Sequence, residues 1–411
     1  MNHRTSRLTA AVTASATLAL SAVGGLVASS SAGAATSPFR VVIVAALTTQ
    51  YLKTNAQTEV LLTRAAATVI NKSGGVAGHK VTVTAVNTNG NPTTAVTKLQ
   101  AVLGSSTKPN MVILGSSSAE TSAELPVATR AKILTFNDAP SETSGTPKVN
   151  PYNFDISPST TNYVQSFVAY TKSKGIKKIG IFAGNDAYGT AIGASMNKAA
   201  KAAGLTVTDS VQYKVTGLTF TSTLAALQAS KPQLLWADAY NAPAGYLLQD
   251  LQKIGWSVPV LGDDSFSVST PITTEPPTGL LGTSAEKNLR FQTFKAAVWA
   301  PASKTPKNTK TMLAAMRRTG SPKASLLFGY DYDAVIMTAY AARSSKTLTT
   351  AGKLASTIVV QQKQGGLPTG IFANYGYTAA FHSPKVPVAT FTFVKPSKLV
   401  TGLFGAPGSR P

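Results

Sequence analysis

A repeated alternation of short apolar runs with longer amphipathic stretches restricts this chain more than any other feature. "FRVVIVAAL" (39–47) is continuous and of strand length, as expected of a strand covered on both faces. A helical pattern follows over 55–71, with Val60, Leu61, Ala65, Thr68 and Val69 on one side. It stops at "KSGGVAG", whose glycines suit a helix end. "KVTVTAVNTNGNP", a helix over 93–103, "NMVILGSSS", a helix over 119–131 and "KILTFNDAP" continue the rhythm. Such alternation belongs to a parallel, doubly wound sheet with helices on its faces.

Two prolines and a Ser/Thr cluster in "PYNFDISPSTTNYV" (151–164) interrupt this rhythm, which places a crossover between two lobes there. A second series follows, with strands "KKIGIFAGN", "LTVTDSVQY", "PQLLWADAY" and "VPVLGDD" separated by helices over 191–203, up to 229, and over 244–254. The expected division is 36–155 plus 286–365 for the first lobe and 156–285 plus 366–411 for the second. A Thr-, Pro- and Gly-rich stretch over 267–287 is expected to be a second connection. With 411 residues, 43% of them apolar, the chain is long enough for two medium cores.

At the N-terminus His3, Arg4 and Arg7 precede an Ala-rich apolar run over 8–27, and "SSSAGAATS" supplies an A-x-A-like cleavage site. Residues 1–35 are therefore expected to be a signal peptide cut near Ala34 or Ala35, and the mature protein to be secreted or extracytoplasmic. No second run of spanning length follows. The chain has no cysteine, which excludes disulfides, thiolate metal sites, a cysteine nucleophile and anchoring through a lipidated Cys. Its formal net charge of +22 first points to an anionic partner. The basic residues stand singly or in pairs such as Lys177-Lys178, without the aromatic interleaving of a nucleic-acid groove, so the charge is assigned to a solvated surface and no nucleic-acid partner is expected.

Material for catalysis is sparse. Outside the signal, His79 and His382 are the only imidazoles, and both are expected to be surface loop residues. No HExxH, nucleophile elbow, Walker loop or dinucleotide fingerprint is present, so neither a metal nor a cofactor is expected. "GIFAGNDAYGTAIG" (180–193) has the glycines of a phosphate loop, but Asn185, Asp186 and Tyr188 stand where bare amides are needed.

In open α/β sheets ligands lie beyond the carboxyl ends of the strands. The residues there are hydroxyls, amides, phenols and a few acids: Gly115 to Ser118; Asn137, Asp138 and Ser141; Asn185, Asp186 and Tyr188; Tyr240 and Asn241; Asp263 and Asp264. They suit holding a small polar solute. Ser118, Ser141 and Asp263 serve equally well as helix caps or turn residues.

In their order along the chain, "VVIVAALT", "INKSGGVAGHKVTV", "NTNGNPTTAVTKLQ", "VILGSSSA", "ILTFNDAPS", "NDAYG" and "GYLLQDLQKIGWSVPVLGDDSF" resemble the periplasmic-binding-protein type I family, and within it the leucine/isoleucine/valine-binding branch of ABC importers. The resemblance implies two Rossmann-like lobes, parallel sheets flanked by helices, joined by three crossovers and closing on a solute. It implies a monomeric, non-enzymatic receptor whose partners are a small-molecule ligand and ABC permease subunits. By motif, Ser116 and Ser117 would meet a ligand carboxylate, helped by Asn137 and Ser141; Tyr188 and Tyr240 would be cleft aromatics, and Asp264 the acid for an α-ammonium group. This chain has "FNDAP" where the family often has Pro-Gly or Ser-Pro-Ser, so Asp138 puts an acid near the carboxylate pocket. Amides, polyamine-like and aromatic solutes therefore stay open beside branched-chain amino acids. Two alternatives to transport are a sensory receptor of the same fold and a secreted hydrolase using Asp263 and Asp264.

Overall fold

The structure, a computed structural model, describes residues 36–49 and 52–408. The expected signal peptide lies outside the described residues. The first sheet holds β1 (Phe39–Ala45), β2 (Val81–Asn87), β3 (Met111–Leu114), β4 (Leu134–Asn137) and β5 (Asn153–Asp155) in the order β2-β1-β3-β4-β5, all parallel. β1, β3 and β4 are buried on both faces, which is why they are rich in apolar residues, with Arg40 in β1 and Thr135 and Asn137 in β4 as the polar exceptions. β2 lies at an edge, and its alternating Val and Thr match one covered face.

The second sheet runs β11-β10-β9-β8-β6-β7, from β6 (Lys178–Gly184), β7 (Thr206–Tyr213), β8 (Leu234–Ala237), β9 (Val260–Gly262), β10 (Leu289–Phe294) and β11 (Phe391–Val394). Its strands are parallel except β11, which runs antiparallel to β10.

Connecting helices fall close to their expected places: α1 (Lys53–Lys72), α2 (Pro92–Gly104), α3 (Ser118–Ala131), α4 (Thr160–Ser173), α5 (Ala187–Ala202), α6 (Thr221–Ala229) and α7 (Ala242–Lys253), with short α8 (Asp264–Ser267) and α9 (Thr270–Thr273). α10 (Lys307–Thr319) and α11 (Gly329–Ser345) pack on α1, and α12 (Ala351–Gln364) packs on α11 and β4. Local chemistry sets the starts. Asn91 Oδ1 accepts from Thr94 N at 3.0 Å with Pro92 in the first turn of α2, and Asp186 Oδ1 accepts from Gly189 N at 2.8 Å at the start of α5. Each such cap is worth about 1 kcal/mol.

α5 starts four residues before the helix expected over 191–203, because Asp186 caps it; Tyr188 thus sits in its first turn. Gly189 packs against the backbone of Gly184 so closely that any side chain would collide, which accounts for these glycines without a phosphate.

The expected lobe boundaries need correction. Leu289–Phe294, assigned with 286–365 to the first lobe, pairs with β9 and β11 in the second sheet. The stretch 267–287 therefore runs from β9 to β10 within the second lobe and is not a connection between lobes. Tyr377 and His382, assigned to the second lobe, pack on Phe154 of β5. The chain passes between lobes after β5, after β10 and before β11. Aromatic rings gather at these passages: Phe294 lies 6.2 Å from Tyr163, 4.8 Å from Phe372 and 5.8 Å from Phe391, centroid to centroid.

Candidate ligand-binding site

Residues beyond the carboxyl ends of both sheets line one cavity of about 610 Å³. That size lies within the range of about 300–1,000 Å³ usual for small-molecule sites. Both sheets reverse their strand order beside it, the first between β1 and β3 and the second between β6 and β8, where such folds place ligands. A second cavity of about 580 Å³, among Trp299, Val394 and the C-terminal segment, has Lys395 as its charged lining residue and lies at no strand-order reversal.

Of the residues expected in the site, Ser116, Ser117, Tyr188, Tyr240 and Asp264 line the first cavity. Asn137 and Ser141 do not. Asn137 ends β4 fully buried, where Asn153 Nδ2 donates to its Oδ1 at 2.6 Å. Ser141 belongs to a turn in which its N–H donates to Ser144 Oγ at 2.9 Å. Asp263 is the cap of α8, accepting from Ser265 N at 3.2 Å, so it stands behind Asp264 and the two do not form a facing carboxylate pair. His382 is not a surface residue: it is buried, stacked on Phe154 at 4.0 Å with Nδ1 2.9 Å from Asn153 O. His79 is half-buried, its Nδ1 2.7 Å from Ser37 O.

The two serines are occupied in an unexpected way. Ser117 caps α3 and Glu120 reaches back over it, so that Glu120 Oε2 accepts from Ser117 Oγ at 3.0 Å and from Ser116 N at 3.2 Å. Ser116 Oγ accepts from Ala46 N at 3.1 Å and donates to Glu59 Oε2 at 3.5 Å. The donors that a ligand carboxylate would need are given to the protein's own carboxylates.

The charged residues of the lining are Glu59, Asp138, Asp186, Asp238 and Asp264, and among the described residues no Lys, Arg or His joins them. Asp264 Oδ1 accepts from Tyr188 OH at 3.1 Å, and burial raises its carboxyl to about 6 while Tyr163 and Tyr188 hold it down. Asp238 Oδ2 accepts from Gly184 N at 3.0 Å, and burial lifts it to about 7 against that bond. Burial also lifts Asp138 to about 7. Glu59 is pushed well above the carboxylate range by burial and then by Asp138 and Asp331. Asn55 Nδ2 donates to Tyr240 OH, so α1 of the first lobe touches the β8–α7 loop of the second.

Glu59, Asp238, Tyr213 and Tyr330 were not among the expected site residues. Asp238 follows β8 and meets the strand-end criterion, whereas Glu59 lies mid-helix and its only sequence signal is its spacing of four from Asn55.

Two α/β lobes facing one lined cavity, with the chain passing between them three times, define a two-lobed receptor of the type I binding-protein fold. The chain belongs to the periplasmic binding protein family, whose profile matches residues 38–395. No curated protein matches it. Among solved structures it is similar to a periplasmic binding protein type 1 from Bordetella pertussis Tohama I, at 16% identity and a TM-score of 0.72 over 87% of this chain and 96% of that one. An ABC transporter substrate-binding protein from Desulfitobacterium hafniense is 18% identical, with a TM-score of 0.66 over 87% of this chain and 100% of the other. The branched-chain amino acid transporter substrate binding protein LivJ from Streptococcus pneumoniae, in complex with isoleucine, is 16% identical, with a TM-score of 0.64 over 90% and 98%.

Proposed function

We propose that this protein is an extracytoplasmic solute receptor of an ABC importer, capturing a small polar solute between its lobes by hinge closure and presenting it to a membrane permease. The observation that carries this reading is the single cavity lined from the strand ends of both sheets. A ligand touching both walls favours the closed arrangement by its contacts with the second wall, which is how binding drives closure. Similarity to an ABC transporter substrate-binding protein and to LivJ supports the transport role. No helix among the described residues is long and apolar enough to cross a membrane. Tyr188, Tyr240 and Asp264 are the proposed ligand contacts from the second lobe, with Ser116 and Ser117 shaping the first wall. The receptor acts without catalysis and as a monomer after loss of residues 1–35.

A solute panel read by thermal shift tests this, because a ligand that binds only the folded state raises Tm in proportion to its occupancy. Saturable stabilisation by one solute class, with unchanged solute recovered by mass spectrometry and a smaller radius of gyration in X-ray scattering, is expected. Turnover of the bound solute would overturn the receptor reading.

A further inference from the structure

We infer that the cavity takes a small organic cation with amino groups at separated positions, an aliphatic diamine or short polyamine, and not a solute recognised through its own carboxylate. This rests on the receptor reading above and narrows it to a ligand class.

Charge distribution is the first ground. The chain has 38 Lys and Arg against 16 Asp and Glu, yet among the described residues five acids and no Lys or Arg line the cavity. Among the described residues the one ion pair is Lys398 to Glu275 at 3.9 Å, and neither residue lines the cavity. The cavity acids therefore have no cationic side chain beside them. Burying carboxylates is costly unless they are paired or protonated, and a cationic guest supplies the missing partner.

A second, independent ground is Asp138. It lines the cavity, is only 9% exposed, and its Oδ1 has no hydrogen-bond partner. An ammonium group carries three donors and no acceptor, which is the complement this oxygen lacks. A ligand carboxylate would instead meet Glu59 and Asp138 at the first wall, and the Ser116 and Ser117 donors that should receive it already serve Glu59 and Glu120.

The spread of the acids separates an organic cation from a metal ion. No group of three or more His, Cys, Asp or Glu among the described residues is arranged to hold a metal. Glu59 and Asp138 belong to the first lobe, Asp238 and Asp264 to the second, so carboxyl groups stand on both walls. A solute with a cationic group toward each wall couples the two lobes, and the phenols of Tyr188 and Tyr240 offer acceptors and ring faces between them.

Calorimetric titration of the purified protein with 1,4-diaminobutane and spermidine, beside isoleucine, benzoate and magnesium chloride, tests the inference. One diamine or polyamine is expected to bind per chain, with affinity about tenfold or more weaker in Glu59→Gln and in Asp264→Asn. Glu142→Gln, an exposed acid outside the cavity, should bind as the parent does. Saturable binding of isoleucine or benzoate that diamine does not displace overturns the cation class and leaves the receptor reading intact. Displacement of the diamine by magnesium likewise overturns it, as does diamine binding unaffected by both cavity substitutions. Absence of saturable binding by every member overturns the receptor reading as well.

Discussion

On the second lobe's wall, Asp264 accepts from Tyr188, Asp238 from the Gly184 amide, and Asp263 behind them from Ser265. On the first lobe's side, Asp138 keeps Oδ1 unpartnered, Glu120 keeps Oε1, and Asp331 and Glu124 keep both carboxylate oxygens. The second wall is organised before any ligand arrives, because its acids already have donors. On the first lobe's side burial acts against the charged form with fewer donors to offset it: it lifts Glu124 to about 9 and Glu59 and Asp331 well above the carboxylate range. One wall orients a guest, and the other gains a partner when the guest enters.

The same contrast occurs within one turn of α11. Asp333 accepts from the amides of Gly370 and Ile371 and from Tyr375 OH, while Asp331 accepts from nothing. Asp333→Ala should therefore cost about 3 kcal/mol in a denaturant melt, because it strands several buried donors. A loss below about 1 kcal/mol would break the comparison. Next in size, Asp264→Ala or Tyr188→Ala should weaken ligand binding by about 2 kcal/mol with the fold intact by circular dichroism. Unchanged affinity in both would remove the second wall from the site. Asp331→Asn should leave stability at pH 7 within about 1 kcal/mol of the parent or raise it, since it removes a buried group that has no partner to lose. A large loss would show that Asp331 is satisfied after all.

The smallest effect concerns pH. Asp138 and Asp238 are raised from 3.8 to about 7 and Asp264 from 3.8 to about 6 in the folded state. A raised folded value means that the folded protein holds protons the unfolded chain releases. Their contribution to stability is fully present below about pH 4 and is lost as pH rises through 6 to 7. His382, lowered by burial, acts the other way, one group against ten raised acids. The ligand-free protein should thus melt a few degrees lower at pH 8 than at pH 5, by calorimetric scan. Saturating diamine should shrink that difference and release protons on binding, seen as heats that change with buffer ionisation enthalpy. An opposite slope would show that these buried acids do not hold protons in the folded state.

Strands buried on both faces were legible because apolar residues dominate them, as in "VVIVA" of β1 and "MVIL" of β3. β10 was misplaced because "LRFQTF" is polar yet buried: Gln292 donates to Tyr163 O at 3.0 Å and to Ser166 Oγ at 2.5 Å, a satisfaction that no run of apolar letters reveals. Strand ends point to Tyr188, Tyr240 and Asp264, which line the cavity. They do not say which way a residue points, since neighbours along a strand face opposite sides, and so Asn137 was placed in a cleft it does not reach. Glu59 was missed because its role depends on Asp138 and Ser116, both remote in sequence.

The three passages of the chain also govern the order in which it can fold. β1 to β5 come first in synthesis, but α10, α11 and α12, which cover that sheet, come after β10. The second sheet lacks its last strand until Phe391–Val394 is available, and until then β10 is an open edge. Neither lobe is complete while the C-terminal segment is missing.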